Sequence, residues 1–405
     1  MLKAGWKRDK FANLLQKVGT IDPAKQPKMI FKYVDVSSVS RETLEIDNVQ
    51  EILGKDAPSR ARRYIKKGDI LFATIRPTLK RIAIVPDYLD GQVCSTGYFV
   101  FRATSEIYNG YIFYYLLSKS FSDAMESLQK GASYPAVNDN DVKDQFVIYP
   151  SLPEQKRIVA ILDEAFANIS QAVANAEKNL VNARELFDSY LNEVFTRKGD
   201  GWEDFALNSV CVVERGSSPR PIDAYTTTEI DGVNWIKIGD TKGVGKYIER
   251  TKEKITPAGA LKSRRVDPGD FILTNSMSYG KPYIMATTGY IHDGWFALRL
   301  NDGVDTEFFY YLLSSQVVQN QFSQLAAGAI VKNISGDLVK KTILPIPPKQ
   351  KQIEIAQCAD SLLEKVQELE GVYRRKLAAL AELKQTLLQK AFTGELTAAN
   401  HLHPQ

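Results

Sequence analysis

The side chains that usually perform catalysis are few and scattered along this 405-residue chain. Its three histidines are His292, His401 and His403, and its three cysteines, Cys94, Cys211 and Cys358, form no Cys-x-x-Cys pair. A zinc site or a disulfide framework would need such groups at short spacing, so separate, reduced thiols of a cytoplasmic protein are expected. Gly243-Val244-Gly245 stands without the rest of a dinucleotide fingerprint, and no phosphate-binding loop is present. Acidic residues are plentiful, yet no pair carries the neighbouring lysine of a nuclease metal site. No Asn-Pro-Pro-aromatic or Asp-Pro-Pro-Tyr tetrapeptide occurs either. The expectation is a chain with no catalytic residue and no metal site of its own.

What remains is the chemistry of contact. Basic clusters at Arg60-Ala61-Arg62-Arg63 and Lys80-Arg81, and again at Arg264-Arg265 and Lys340-Lys341, would attract phosphate. Residues 1–150 carry 22 Lys and Arg against 17 Asp and Glu, whereas residues 201–345 balance at 16 each. Polyanion affinity in the second region must therefore come from local arrangement, not net field. Residues 1–6 offer no apolar run suited to a signal peptide, and no stretch is long enough to cross a bilayer. No membrane partner is expected.

The elements that must position these groups occur twice. Tyr114-Tyr115-Leu116-Leu117-Ser118 returns letter for letter as Tyr310-Tyr311-Leu312-Leu313-Ser314, about 196 residues on. Gly5-Trp6 returns as Gly201-Trp202, Gly131-Ala132 as Gly328-Ala329, and Phe195-Thr196 as Phe392-Thr393. Pro150-x-x-Pro153-x-Gln155 pairs with Pro345-x-x-Pro348-x-Gln350. A repeat of that length is domain-sized. Each copy opens with a mixed region, residues 1–150 and 201–345. Short β-prone runs such as Ile70-Leu71-Phe72-Ala73 and Phe271-Ile272-Leu273 follow Gly-Asp pairs. Residues 112–128 and 308–325 read as single amphipathic helices, so each region is read as α+β.

Each mixed region is followed by a long helix, at 151–200 and 346–397, with a flexible tail at 398–405. Ser151-Leu152-Pro153-Glu154 is a helix-start signature. Beyond it, apolar or aromatic residues at Ile158, Leu162, Ala165, Ile169, Ala172, Ala176, Leu180, Ala183, Phe187, Tyr190 and Val194 follow steps of three and four. Moving that seam by 197 lands on Ile355, Leu362, Val366, Leu377, Leu380 and Leu387, with Lys384 the one polar exception. Because the Pro–Gln marks are offset by 195, the second helix is expected to gain two residues near 351–355 and to start with a displaced or kinked turn. About 45 residues make a rod on the order of 65 Å, too long to bury its stripe on one domain. Two such rods are expected to pack on each other, antiparallel if the copies are related by a pseudo-twofold axis.

Pro150-Ser151-Leu152-Pro153-Glu154-Gln155-Lys156-Arg157-Ile158, the closing residues 387–396, Gly-Asp-Ile-Leu at 68–71 and Gly-Ala-Ser-Tyr-Pro at 131–135 carry a family resemblance. In this order, and duplicated, they resemble the specificity (S) subunit of type I restriction–modification enzymes. The resemblance spans essentially the whole chain; the second copy departs in Pro348-Lys349-Gln350 and in a loop at 328–335 without proline. It implies two target recognition domains, each holding half of a split target in double-stranded DNA. The helices would form an antiparallel coiled coil, the spacer between half-sites. It further implies two methyltransferase (M) subunits on the helices, with S-adenosylmethionine, and restriction (R) subunits joined through them, with ATP and Mg. The S subunit would bind no cofactor itself. A duplicated DNA-binding adaptor of another enzyme complex fits the same features.

Base readers belong on loops after strands, where Arg and Asn can meet two acceptors or a donor and an acceptor on a base edge. In the first domain the candidates are Thr74, Arg76, Lys80, Ser133, Tyr134 and Asn138. In the second they are Asn275, Ser276, Tyr279, Lys281, Lys332 and Asn333. Arg62 and Arg63 are assigned to the phosphate backbone, which positions without specifying.

Overall fold

The computed structural model describes residues 3–275, 280–327 and 335–398. It resolves into two compact units, Met1–Ala176 with Arg375–Gln405, and Glu177–Arg374. These are not the two sequence halves. Each unit takes one mixed domain, one end of the helix that follows it and the opposite end of the other long helix.

In the first unit, strands Ile82–Ile84, Ile70–Ala73 and Tyr98–Phe101 form an antiparallel sheet in that order. Side chains alternate across a strand, and here both faces are covered. Ile70, Phe72, Ile82, Phe99 and Phe101 enter the core beneath helices Asn109–Leu117 and Lys119–Leu128. Leu71, Ala73, Ala83, Tyr98 and Val100 enter a second core on the opposite face. A four-stranded sheet, in the order Gln50–Leu53, Ile30–Val34, Val93–Ser95, Ala61–Tyr64, completes the domain. Lys7–Lys10 pairs antiparallel with Phe146–Tyr149 and closes it.

The second unit repeats the double-sided sheet. Phe271 and Leu273 face one core and Ile272 the other, as Phe296 and Leu298 do against Trp295 and Ala297. Its sheet is wider, in the order Cys211–Arg215, Trp295–Leu300, Phe271–Thr274, Pro282–Met285, Tyr247–Ile248.

Residues 112–128 and 308–325 are not single helices. They divide into Asn109–Leu117 and Lys119–Leu128, and into Thr306–Ser314 and Gln316–Ala327. Ser118 makes the first break: its hydroxyl donates to Tyr115 O at 2.6 Å and accepts from the Phe121 N–H at 3.4 Å. A serine that satisfies the backbone locally competes with the helix ladder.

The long helices run Leu152–Arg197 and Lys349–Thr393. In the first unit, Ile158, Val159, Leu162 and Phe166 share a core with Leu387, Leu388, Ala391 and Phe392. In the second, Phe187, Leu191 and Phe195 share one with Ile355, Ala356, Ala359 and Leu363. The start of one helix meets the end of the other each time, so the pair is antiparallel. Arg184 and Glu370 bridge it at 2.5 Å. Lys384, the polar interruption of the seam, lays its ammonium 5.4 Å from the Phe166 ring centroid.

Burial along the seam is uneven. Ile158, Leu162, Ile169, Ile355 and Val366 are buried, whereas Leu180, Phe187, Leu362, Leu377, Leu380 and Leu387 are half-buried.

Candidate nucleic-acid interface

Strands Ile70–Ala73 and Ile82–Ile84 are joined by a loop that holds Arg76 and Lys80 at φ 51° and 50°. Left-handed backbone at non-glycine residues costs on the order of 1–3 kcal/mol and persists only where neighbours impose it. The neighbour is the loop after Lys119–Leu128. The Arg76 N–H donates to Pro135 O at 2.7 Å and the Val137 N–H to Thr74 O at 3.0 Å. Lys130 and Ala136 exchange two backbone hydrogen bonds of 2.9 Å, closing residues 131–135 into a tight loop. Gly131, at φ +98°, is required there, because a Cβ would lie 3.0 Å from Tyr134 O.

The two loops thereby bring together candidates that stand some 57 residues apart in sequence. The Arg76 guanidinium lies 5.3 Å from the Tyr134 ring centroid and its Nη2 donates to Ser133 O at 3.4 Å. Tyr134 is 73% exposed, and Arg76 and Ser133 are exposed too. Arg76 has no carboxylate partner among the described residues. A planar donor fork and an aromatic face, both open to solvent on a rigid sheet end, suit base edges and sugars.

Other candidates hold the fold together. Thr74 is buried, its hydroxyl donating to Gly97 O at 3.0 Å. Lys80 is half-buried beside the carbonyl of Leu117, and burial lowers its pKa. Asn138 is exposed but caps the short helix Asp139–Lys143, accepting from the Asn140 and Asp141 N–H groups. Arg62 pairs with Asp22, and Arg63 grips Asp139 at 2.9 Å. Each of these two, expected at the phosphate backbone, has a carboxylate partner within the domain.

In the second unit, Asn275 is buried and its Nδ2 donates to Asp293 O at 2.7 Å. Its N–H donates to Gly294 O, as the Thr74 N–H does to Gly97 O. The residue at this station therefore pins the loop in both domains. Lys281 is exposed, with its ammonium 5.3 Å from the Tyr283 ring. Ser276, Tyr279, Lys332 and Asn333 lie outside the described residues.

Sequence reasoning also missed the clamps between each domain and its helix. Gln155, fully buried, accepts the Tyr108 N–H at 2.8 Å and donates to Pro150 O at 2.9 Å and Glu106 O at 3.1 Å. Gln352 does the same with the Asp305 N–H, Pro347 O and Gly303 O, at 2.7, 2.9 and 3.3 Å. Tyr114 donates to Asp163 at 2.6 Å, and Tyr311 to Asp360. These equivalences all stand 197 residues apart. The expected two-residue gain near 351–355 is thus absent: Gln155 matches Gln352, not Gln350, and the second helix starts in step. The Tyr-Tyr-Leu-Leu-Ser identity is likewise one residue out of structural register, Tyr114 answering to Tyr311.

Burial pushes the Cys94 and Cys211 thiols up to about 12, while Cys358 is exposed. Among the described residues, no His, Cys, Asp and Glu cluster could hold a metal ion, and no helix is long and apolar enough to cross a membrane.

Residues 17–181 and 199–372 each match the type I restriction modification DNA specificity domain. The chain belongs to that family. It is 23% identical over 332 residues to the type I restriction enzyme EcoKI specificity subunit of Escherichia coli strain K12, covering 75% of this chain and 70% of that one. It is 22% identical over 318 residues to the MjaVIII specificity subunit of Methanocaldococcus jannaschii, covering 72% and 71%. Among solved structures, the HsdS subunit from Thermoanaerobacter tengcongensis superposes with a TM-score of 0.69 at 29% identity, covering 98% of both chains. A chain solved in work on complex assembly and conformational transition of the type I R-M system reaches 0.88 at 29%, covering 98% of this chain and all of that one. As a specificity subunit, the chain is the DNA-recognition component of its system and not a catalytic one.

Proposed function

We propose that each mixed domain reads one half of a bipartite target in double-stranded DNA, and that the paired helices set the spacing between the halves. The observation that carries this is the meeting of Arg76 and Tyr134, both exposed, on two loops stitched together at one end of a doubly buried sheet. Two methyltransferase subunits dock on the helices, where Val181, Leu186, Leu369 and Val372 leave apolar surface open to solvent. Restriction subunits join through them. S-adenosylmethionine, ATP and Mg act on those partners, in the cytoplasm. Methylation mapping of cells with and without the gene tests the reading: a two-part motif must be methylated only in its presence. Co-purification of methyltransferase subunits separates it from an adaptor of some other complex.

A further inference from the structure

The two domains differ at the sheet end where Arg76 stands in the first. In the second, strand Cys211–Arg215 lies beside Trp295–Leu300, with Arg215 opposite Phe296, while Thr274 stands opposite Trp295 on the other side. The segment after Arg215 and the segment after Thr274 therefore leave the sheet at the same end. In the first domain the chain at the place of Cys211–Arg215 makes only an isolated bridge, Leu15 with Ala103, and the three-stranded sheet gains no edge strand there. Domains that read different half-sites must differ in what they present, and this longer edge strand with the segment it leads into is such a difference.

The segment is well held. The Gly216 N–H donates to Trp295 O at 2.9 Å, and Ser217 Oγ to Lys262 O at 3.0 Å. Ser218 Oγ donates to the Asp293 carboxylate, whose pKa is lowered by that hydrogen bond, with Arg220 and His292 nearby. Gly216 admits no larger residue, because a Cβ would sit 2.0 Å from His292 O. Pro219 is buried, and Pro221 and Ile222 continue over a pocket of about 530 Å³ walled by Trp235 and the His292 ring. Between two prolines that restrict the backbone, the Arg220 side chain is 80% exposed. Its ion pair with Asp293 is loose at 3.5 Å. The same Asp293 accepts the Asn275 amide on its carbonyl, tying this segment to Asn275 at the end of strand Phe271–Thr274. An arginine aimed by a carboxylate, yet free at its outer edge, presents the donor fork that guanine O6 and N7 accept.

We propose that Arg220 is a specificity-determining residue of the second domain, contacting a guanine edge in that domain's half-site. This rests on the DNA-recognition reading above. The test compares Arg220→Ala and Arg220→Lys with the parent chain, each co-expressed with its methyltransferase subunits, by genome-wide methylation mapping. Binding to cognate and random duplexes and thermal unfolding are measured alongside. The expected result is loss of preference for guanine at one position by about tenfold or more. That position lies in the half left unchanged by Arg76→Ala, with unfolding unaltered. Should methylation vanish outright, a loss of binding confined to cognate duplex has the same meaning. An unchanged motif, or equal weakening on cognate and random duplex, overturns the proposal. Failure of the parent chain to direct any two-part motif would instead overturn the reading beneath it.

Discussion

Arg76 is the residue in the first domain on which most converges: a left-handed backbone, a hydrogen bond to Pro135 O, an aromatic neighbour and no counter-ion among the described residues. Arg62 and Arg63, alike in charge, each have a carboxylate partner, Asp22 and Asp139. What separates them is the partner, not the side chain. Arg76→Ala is expected to weaken cognate DNA binding by about 1–3 kcal/mol and to leave random-duplex binding unchanged, as fluorescence anisotropy on both duplexes would read. Equal losses would make it a phosphate contact. Asn275 and Thr74 show the limit of residue type as a guide. Both are polar, both lie in the right loops, and both turn inward to bind backbone carbonyls.

At the scale of elements, a buried glutamine fixes each domain to its helix. Removing Gln155's amide would leave the Tyr108 N–H and two carbonyls unpaired in the interior, at about 1–3 kcal/mol for an unsatisfied group. Gln155→Leu should therefore lower stability by that order in chemical denaturation; an unchanged midpoint would mean that the clamp is idle. The helices give a second expectation. A heptad inserted midway into both preserves the seam's phase and should lengthen the preferred gap between half-sites while leaving both half-sites intact. Methylation mapping would show either outcome, and altered half-sites would contradict the role of the helices as a spacer.

At the scale of the whole molecule, neither repeat completes its own core. Phe392, at the end of the second helix, packs edge-on against Tyr111 and Tyr115 of the first domain, both at 5.2 Å. Phe195, at the end of the first, meets Phe308 of the second at 5.7 Å. Residues 1–198 expressed alone would expose the face of Ile158, Leu162 and Phe166. They are expected to self-associate, while co-expression with residues 199–398 should give a one-to-one complex. Sedimentation would distinguish these from a stable monomer. The sequence by itself determined the duplication, the two long helices, their seam and the family, because periodicity and repeated letters are properties of order along the chain. It also named the loops that carry Arg76 and Tyr134. Only the tertiary structure decided that Arg62, Arg63, Thr74 and Asn275 have partners within the fold, since a hydrogen-bond partner distant in sequence leaves no local mark. The register of the repeat was decided there as well. One residue turns a helix by about 100°, so Tyr114 pairs with Tyr311 through the carboxylates each must reach, whatever the identical letters suggest.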